Sequence, residues 1–319
     1  MRGRHDSGMP RFHAAGRLAS LAAPLVLAAG LATAAAPQPA PLQPRQVERI
    51  ADLDEATARA QALAARHGAG RVLVVYDIDS TLLRATRRWP DLDPLEARSR
   101  DGYRQVERTL MYLTAQAPTE ADAAAEVAAL QAAGIAVYAL TARGTDMRDM
   151  TERELRANGI AFPDAPECGP PLCVRRGVLP AQAVMAAARQ VLGEAELDRL
   201  GFGRGRDVSV SDGVVMASGL HKGVVLRLLL ASLGRDYDAV VMVDDLARNA
   251  DDVRAAAERM PQEVAVLHYR PPSPPVLPGD DAEAERQWRA MRDAICGGLA
   301  PRWCAEAAEA DEAPVPAPR

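Results

Sequence analysis

Aromatic residues make up only 4% of this 319-residue chain, so its core has to be built from aliphatic side chains and alanine. Lysine is scarcer still. All but one of the 38 basic residues are arginine, and the exception is Lys222, within "ASGLHKGVVL" (217–226). A GC-rich genome accounts for a shortage of lysine, but not for the one that remains. Positive charge is also not in excess: the formal net charge is −5, which argues against a general binder of nucleic acid or anionic membrane. Hydrophobic residues at 48% and charged residues at 25% are ordinary for a soluble globular protein. The length suits one large domain, or one domain with a small cap. No internal repeat is visible.

The N-terminus has the composition of a targeting segment. Arg2, Arg4, Arg11 and Arg17 precede the apolar run "LASLAAPLVLAAGLATAAA", which ends in small residues. The expectation is a signal peptide over 1–34 cleaved after Ala34, with a periplasmic or secreted product; an uncleaved membrane anchor is the alternative. Export gives meaning to four cysteines. Cys168 and Cys173 flank "GPPL", and Cys296 and Cys304 flank "GGLAPRW", so the simplest reading is two local disulfides among three possible pairings. A zinc site fits these spacings poorly without a nearby histidine pair.

A Pro-rich linker (35–44) leads into the folded region, 45–304, and an acidic, Pro-rich tail (305–319) follows it. Residues 45–66 look like an Ala-rich helix. Beyond them, short apolar runs alternate with helical patterns, which predicts an α/β fold with a parallel sheet flanked by helices. The expected strands are 71–76, 135–140, 238–243 and 263–269, with a hairpin over 208–218. Helices are expected at 120–133, 145–158, 181–192, 222–233, 248–259 and 281–295. Two insertions stand out, a small cap or flap at about 84–118 and a second at about 159–218.

Ligands of parallel sheets bind at the carboxyl ends of the strands, so the residues after each strand matter most. "VLVVY" runs into Asp77-Ile78-Asp79-Ser80-Thr81, "AVYAL" into Thr141-Ala142-Arg143, and "AVVMV" into Asp244-Asp245. Lys222 opens the helix before the last of these. Two carboxylates at one strand end allow one to attack phosphorus while the other moves a proton. Clustered carboxylates also suit Mg²⁺, and a compact lysine fits a crowded pocket where a planar guanidinium does not.

Together "VLVVYDIDSTLL", "AVYALT", Lys222 and "AVVMVDDLARN" resemble the four ordered motifs of the haloacid dehalogenase (HAD) superfamily of phosphatases, over roughly residues 45–270. The Trp and "LTAR" also resemble exported bacterial HAD-like proteins of unassigned function. The resemblance implies a Rossmann-like core with a small helical cap or flap, and Mg²⁺-dependent hydrolysis of phosphomonoesters. It implies that Asp77 forms an aspartyl-phosphate and that Asp79 is the general acid and base. Thr141 and Lys222 would hold phosphoryl oxygens. Asp77, the Asp79 carbonyl and Asp244 would ligate Mg²⁺, with Asp245, Asn249, Arg143 and Trp89 in support. The expected partner is a phosphorylated small molecule, with no nucleic acid and no stable membrane association once the signal is cleaved. Asp79 argues against a dehalogenase, "DIDST" differs from the "DKTGT" of transport ATPases, and a phosphonatase needs a second lysine. A phosphotransferase with the same intermediate and a non-catalytic binding protein on the same scaffold are the alternatives.

Other patterns carry less. An EF-hand loop needs Gly where Leu82 stands and Glu where Arg88 stands. "GFGRGR" (201–206) follows no strand and lacks dinucleotide-binding spacing. Arg143 either contacts substrate or pairs with a surface acid, Asn249 either positions Asp244 or caps a helix, and His221 is expected at the surface. Trp288 and Trp303 are expected to pack the C-terminal helix and its loop.

Overall fold

The computed structural model describes residues 46–86, 108–112, 114–174 and 177–271, with a few positions between 286 and 297. The expected signal peptide, the linker, the tail, Trp89, Trp288, Trp303 and the Cys296/Cys304 pair all lie outside the described residues, as does most of the expected helix 281–295.

The five strands of the sheet's centre form where apolar β-branched residues run without interruption, as strands covered on both faces require. These are β2 (Val72–Tyr76), β5 (Ala136–Thr141), β8 (Val214–Met216), β9 (Ala239–Asp244) and β10 (Glu263–Tyr269). Every residue of β2, β5 and β9 is buried. The eight-stranded sheet is completed by β1 (Val47–Ile50), β6 (Val178–Leu179) and β7 (Val208–Ser211), in the order β1-β10-β9-β2-β5-β8-β7-β6. All pairings from β1 through β8 are parallel, and β8-β7 and β7-β6 are antiparallel. The expected hairpin over 208–218 is therefore the bend from β7 into β8. A separate antiparallel pair, β3 (Leu83–Ala85) with β4 (Gln116–Pro118), closes off the first insertion.

Alternate strand residues feed two cores. On one face Leu73, Val75, Tyr138, Leu140, Val240 and Met242 pack against α4 (Ala181–Leu192), α5 (Glu194–Arg199), α6 (Lys222–Ser232) and α7 (Ala247–Ala257). On the other, Val72, Val74, Tyr76, Val137, Val241 and Val243 pack against α1 (Leu53–His67), α2 (Ala123–Ala132) and α3 (Arg148–Ala157). The protein is thus α/β, with a mostly parallel central sheet flanked by helices.

Two expectations need correction. The chain over 45–66 is not one helix: residues 47–50 form the edge strand β1, and the helix starts at Leu53. Asp52 and Glu55 make a reciprocal capping box that sets this start. His221 is not a surface residue. It is the half-buried N-cap of α6, where its Nδ1 accepts from the Val224 backbone N–H at 3.3 Å. Burial lowers the His221 imidazole below its ordinary pKa, against the pull of Asp252.

One disulfide joins Cys168 and Cys173, as the local spacing led us to expect. Its loop docks on the C-terminal end of α6. The Gly169 N–H donates to the Ser232 carbonyl at 2.8 Å, and the Leu172 N–H donates to Ser232 Oγ at 2.9 Å. No helix among the described residues is long and apolar enough to cross a membrane.

Candidate functional site

β2 lies between β9 and β5, so the chain leaves it on one side to build β5 and returns on the other to build β9. This is the switch in strand order beside which a crevice opens at the carboxyl ends. The Asp77 N–H donates to the Val243 carbonyl at 2.8 Å, which extends the β2–β9 pairing by one residue and places Asp77 beside the end of β9. The chain then coils tightly. The N–H groups of Thr81, Leu82 and Leu83 all donate to the Ile78 carbonyl, at 3.2, 3.0 and 2.9 Å. Ser80 pays for this turn with a left-handed backbone, φ 58°. The coil swings Thr81 back under the site, where its Oγ1 accepts from the Asp245 N–H at 3.1 Å.

At the centre stands the single lysine. Lys222 Nζ, on the first turn of α6, lies 2.6 Å from Asp77 Oδ1 and 2.6 Å from Asp244 Oδ2. All three side chains are buried. Asp244 is further held by the Asn249 amide, which donates to both carboxylate oxygens at 3.0 and 3.2 Å, and by the Leu246 N–H at 2.9 Å. Asn249 therefore positions Asp244; it does not cap a helix, since α7 already begins at Ala247.

One ammonium serves two buried carboxylates, which leaves the pocket short of positive charge. Burial pushes the Asp77 carboxyl well above the usual range; Lys222 pulls it back, while Asp244 and Asp79 push it further up. Burial by itself would lower the Lys222 ammonium, but Asp77 and Asp244 outweigh it and hold the proton on. Asp245 is pushed up to about 6, by burial first and by Asp244 second.

Oxygens of Asp77, Asp244 and Asp245 lie within 4.8 Å of one another. This is an all-oxygen donor set with unbalanced negative charge, which suits a hard divalent cation such as Mg²⁺. The expected set named Asp77, the Asp79 carbonyl and Asp244, with Asp245 only in support. The carboxylates brought together are the first, the last and Asp245.

Asp79 faces elsewhere. Its side chain is 43% exposed, and Arg143, whose own side chain is 2% exposed, grips it with both arms of the guanidinium. Nη2 donates to Oδ1 at 2.7 Å and Nε donates to Oδ2 at 3.0 Å. Of the two readings left open for Arg143, the structure gives a pairing with an acid, and that acid is Asp79. Thr141 ends β5 fully buried, and its Oγ1 accepts the Arg143 N–H at 3.2 Å.

Three polar residues of this neighbourhood escaped the sequence reading. Gln116 Oε1 and Thr151 Oγ1 accept from Arg143 at 2.8 and 2.9 Å, and Glu154 accepts the Gln116 N–H at 2.7 Å. None sits beside a strand-end motif. The only sequence signal is the helical spacing that puts Thr151 and Glu154 on the buried side of α3.

No curated protein and no solved structure matches this chain. One family description does match, over residues 46–295, a span that contains every described residue of the site. The chain belongs to the family described as "Protein of unknown function (DUF2608)".

Proposed function

We propose that this protein hydrolyses phosphomonoesters in the manner of an HAD-type phosphatase, with Asp77 as nucleophile and Asp79 as general acid and base. The observation that carries the reading is the lone lysine bridging Asp77 and Asp244 at 2.6 Å at the carboxyl ends of adjacent parallel strands. A purely structural role explains such a cluster badly, because it buries two carboxylates against one ammonium where apolar residues would be at least as stable.

In the proposed reaction an Asp77 carboxylate oxygen forms a bond to phosphorus as the ester P–O bond breaks, and Asp79 gives its proton to the leaving oxygen. Water then attacks the aspartyl-phosphate and passes a proton to Asp79, and the Asp77–phosphorus bond breaks to release phosphate. Lys222 fixes the Asp77 carboxylate and balances charge gathering on the phosphoryl group. Asp77, Asp244 and Asp245 would hold Mg²⁺, which supplies further positive charge for the phosphoryl oxygens. Asn249 and the Leu246 N–H keep Asp244 in place for that task. The small size of the first insertion supports the HAD core with a flap, β3 and β4 forming its base. The Cys168–Cys173 disulfide is compatible with the proposed export, since such bonds persist in oxidising compartments.

The test is hydrolysis of nitrophenyl phosphate by the chain lacking residues 1–34, with Mg²⁺ and with EDTA, alongside Asp77→Asn. Turnover that needs the metal and disappears in the variant is expected. Turnover that survives Asp77→Asn would remove the nucleophile from the account. If nitrophenol is released without a matching amount of phosphate, and only when an alcohol is present to accept the phosphoryl group, the activity is phosphotransfer.

A further inference from the structure

Resting on the hydrolase reading, we propose that Arg143 is a positioning residue: keyed by Gln116 and Thr151, it aims the Asp79 carboxyl at the oxygens whose protons move. The geometry separates the two partners. Asp79 is open to solvent at 43% exposure, whereas the Arg143 side chain, at 2%, is buried. A guanidinium so covered has no face left for substrate, so whatever Arg143 contributes passes through Asp79.

The guanidinium is itself fixed on every side. Nη2 divides its two hydrogens between Asp79 Oδ1 (2.7 Å) and Gln116 Oε1 (2.8 Å). Nη1 donates to Thr151 Oγ1 at 2.9 Å and lies 3.8 Å from Met150 Sδ. Nε donates to Asp79, at 3.0 Å from Oδ2 and 3.3 Å from Oδ1. The acceptors are held in turn. The Gln116 N–H donates to Glu154 Oε2 at 2.7 Å, and its carbonyl accepts from Asn158 Nδ2 at 3.2 Å. Thr151 spends its hydroxyl proton on the Met147 carbonyl at 2.8 Å, which turns a lone pair toward Arg143. The Arg143 backbone is pinned as well, its N–H on Thr141 Oγ1 and its carbonyl accepting the Ser218 N–H at 2.9 Å.

The need for such a frame follows from where Asp79 sits. It precedes the left-handed Ser80, its side chain is 43% exposed, and it feels the negative charge of Asp77 and Asp245, all of which favour swinging toward water. Proton transfer requires hydrogen-bond reach in one direction. A bidentate fork holds a carboxylate plane, and lysine, a point charge on a flexible stem, does not.

The experiment is a leaving-group series, from dinitrophenyl phosphate through phenyl phosphate to an alkyl phosphate, on wild type, Arg143→Lys, Gln116→Met, Asp79→Asn and Arg143→Lys/Asp79→Asn. Good leaving groups depart without a proton; poor ones need it. Arg143→Lys is expected to lose about 10–100-fold in kcat/KM on the alkyl ester, within the span of general-acid effects, while staying within a few-fold of wild type on the dinitrophenyl ester; kcat/KM reads the leaving-group step alone, since the Asp79-dependent hydrolysis of the aspartyl-phosphate comes after it. Gln116→Met, which keeps the arginine and removes one key, should show the same tilt more weakly. Added to Asp79→Asn, Arg143→Lys should change nothing further, because the two residues act as one unit. A loss of kcat/KM equal on every ester, or additive losses in the double variant, would each overturn the positioning role while leaving the hydrolase intact. A wild type inert on every ester overturns the hydrolase reading, and this inference with it.

Discussion

Replacing Lys222 by methionine tests the charge logic of the site without appeal to any activity. The side chains are similar in length, so the perturbation is mainly loss of the ammonium. In the native pocket Nζ sits 2.6 Å from each of two carboxylates. At an effective dielectric of about 20, each contact is worth about 6 kcal/mol of gross attraction. Most of that offsets the cost of taking three charges out of water, and removing one member of a buried ionic set typically costs about 3–5 kcal/mol net. Lys222→Met should therefore lower unfolding stability by about 4 kcal/mol, a fall in Tm of about 8–16 °C for a domain of this size. The assay is urea denaturation of the chain lacking residues 1–34. A second arm isolates the cause. In an Asp77→Asn background only one carboxylate remains to be orphaned, so the same substitution should cost about 2 kcal/mol less, and the two changes should be visibly non-additive. A Lys222→Met protein within about 0.5 kcal/mol of wild type, or strict additivity in the cycle, would refute the reasoning.

Further expectations concern the frame around the site. A Cβ on Gly223 would lie 2.3 Å from the Asp252 carbonyl oxygen and 2.6 Å from Ala256 Cβ, so α6 and α7 must part to admit it. Gly223→Ala should cost about 2 kcal/mol by overpacking and displace the neighbouring Lys222; a gain of about 1 kcal/mol, the helix-propensity effect, would mean the helices do not meet this closely. Glu196 lies buried among Arg199, Arg227 and Arg259, at 2.7, 2.8 and 2.9 Å, and Arg199 above all holds its carboxyl below the ordinary value. A carboxylate lowered on folding adds stability above its unfolded pKa of about 4.3, and this is lost as pH falls through the folded value. Glu196→Gln should thus be about 2 kcal/mol less stable than wild type at pH 7, with the gap closing below about pH 4; a gap of constant size across that range would contradict it.

The parts of the molecule legible in its sequence share a physical reason. Strands buried on both faces must be apolar throughout, so β2, β5, β9 and β10 announce themselves as runs, and the polar residues that end them mark one edge of the sheet. Asp77, Asp79, Thr141 and Asp244 were found this way, and Lys222 by its rarity. The strand β1 was hidden because it is an edge: Glu48 and Arg49 face solvent, and "VERI" followed by an Ala-rich helix has no alternation to separate the two. The three-residue strands β3 and β4 are too short for any period to show, and they pair across the first insertion rather than along a continuous hairpin. Gln116 and Thr151 acquire meaning only from Arg143, which topology brings to them from another element. His221 departs from its expected surface place because it stands just outside the helix, where its ring serves the backbone.

The central claim is that Asp77 carries the phosphoryl group, and it can be put to one measurement. The chain lacking residues 1–34 is mixed with nitrophenyl phosphate and Mg²⁺, quenched in acid during turnover, reduced with borohydride, and digested for peptide mass mapping. An aspartyl-phosphate is reduced to homoserine, whereas a free aspartate is untouched. The account predicts homoserine at position 77 and at no other aspartate, and its absence when substrate is omitted. Turnover with Asp77 recovered wholly as aspartate, or homoserine at Asp79, Asp244 or Asp245 instead, would contradict it.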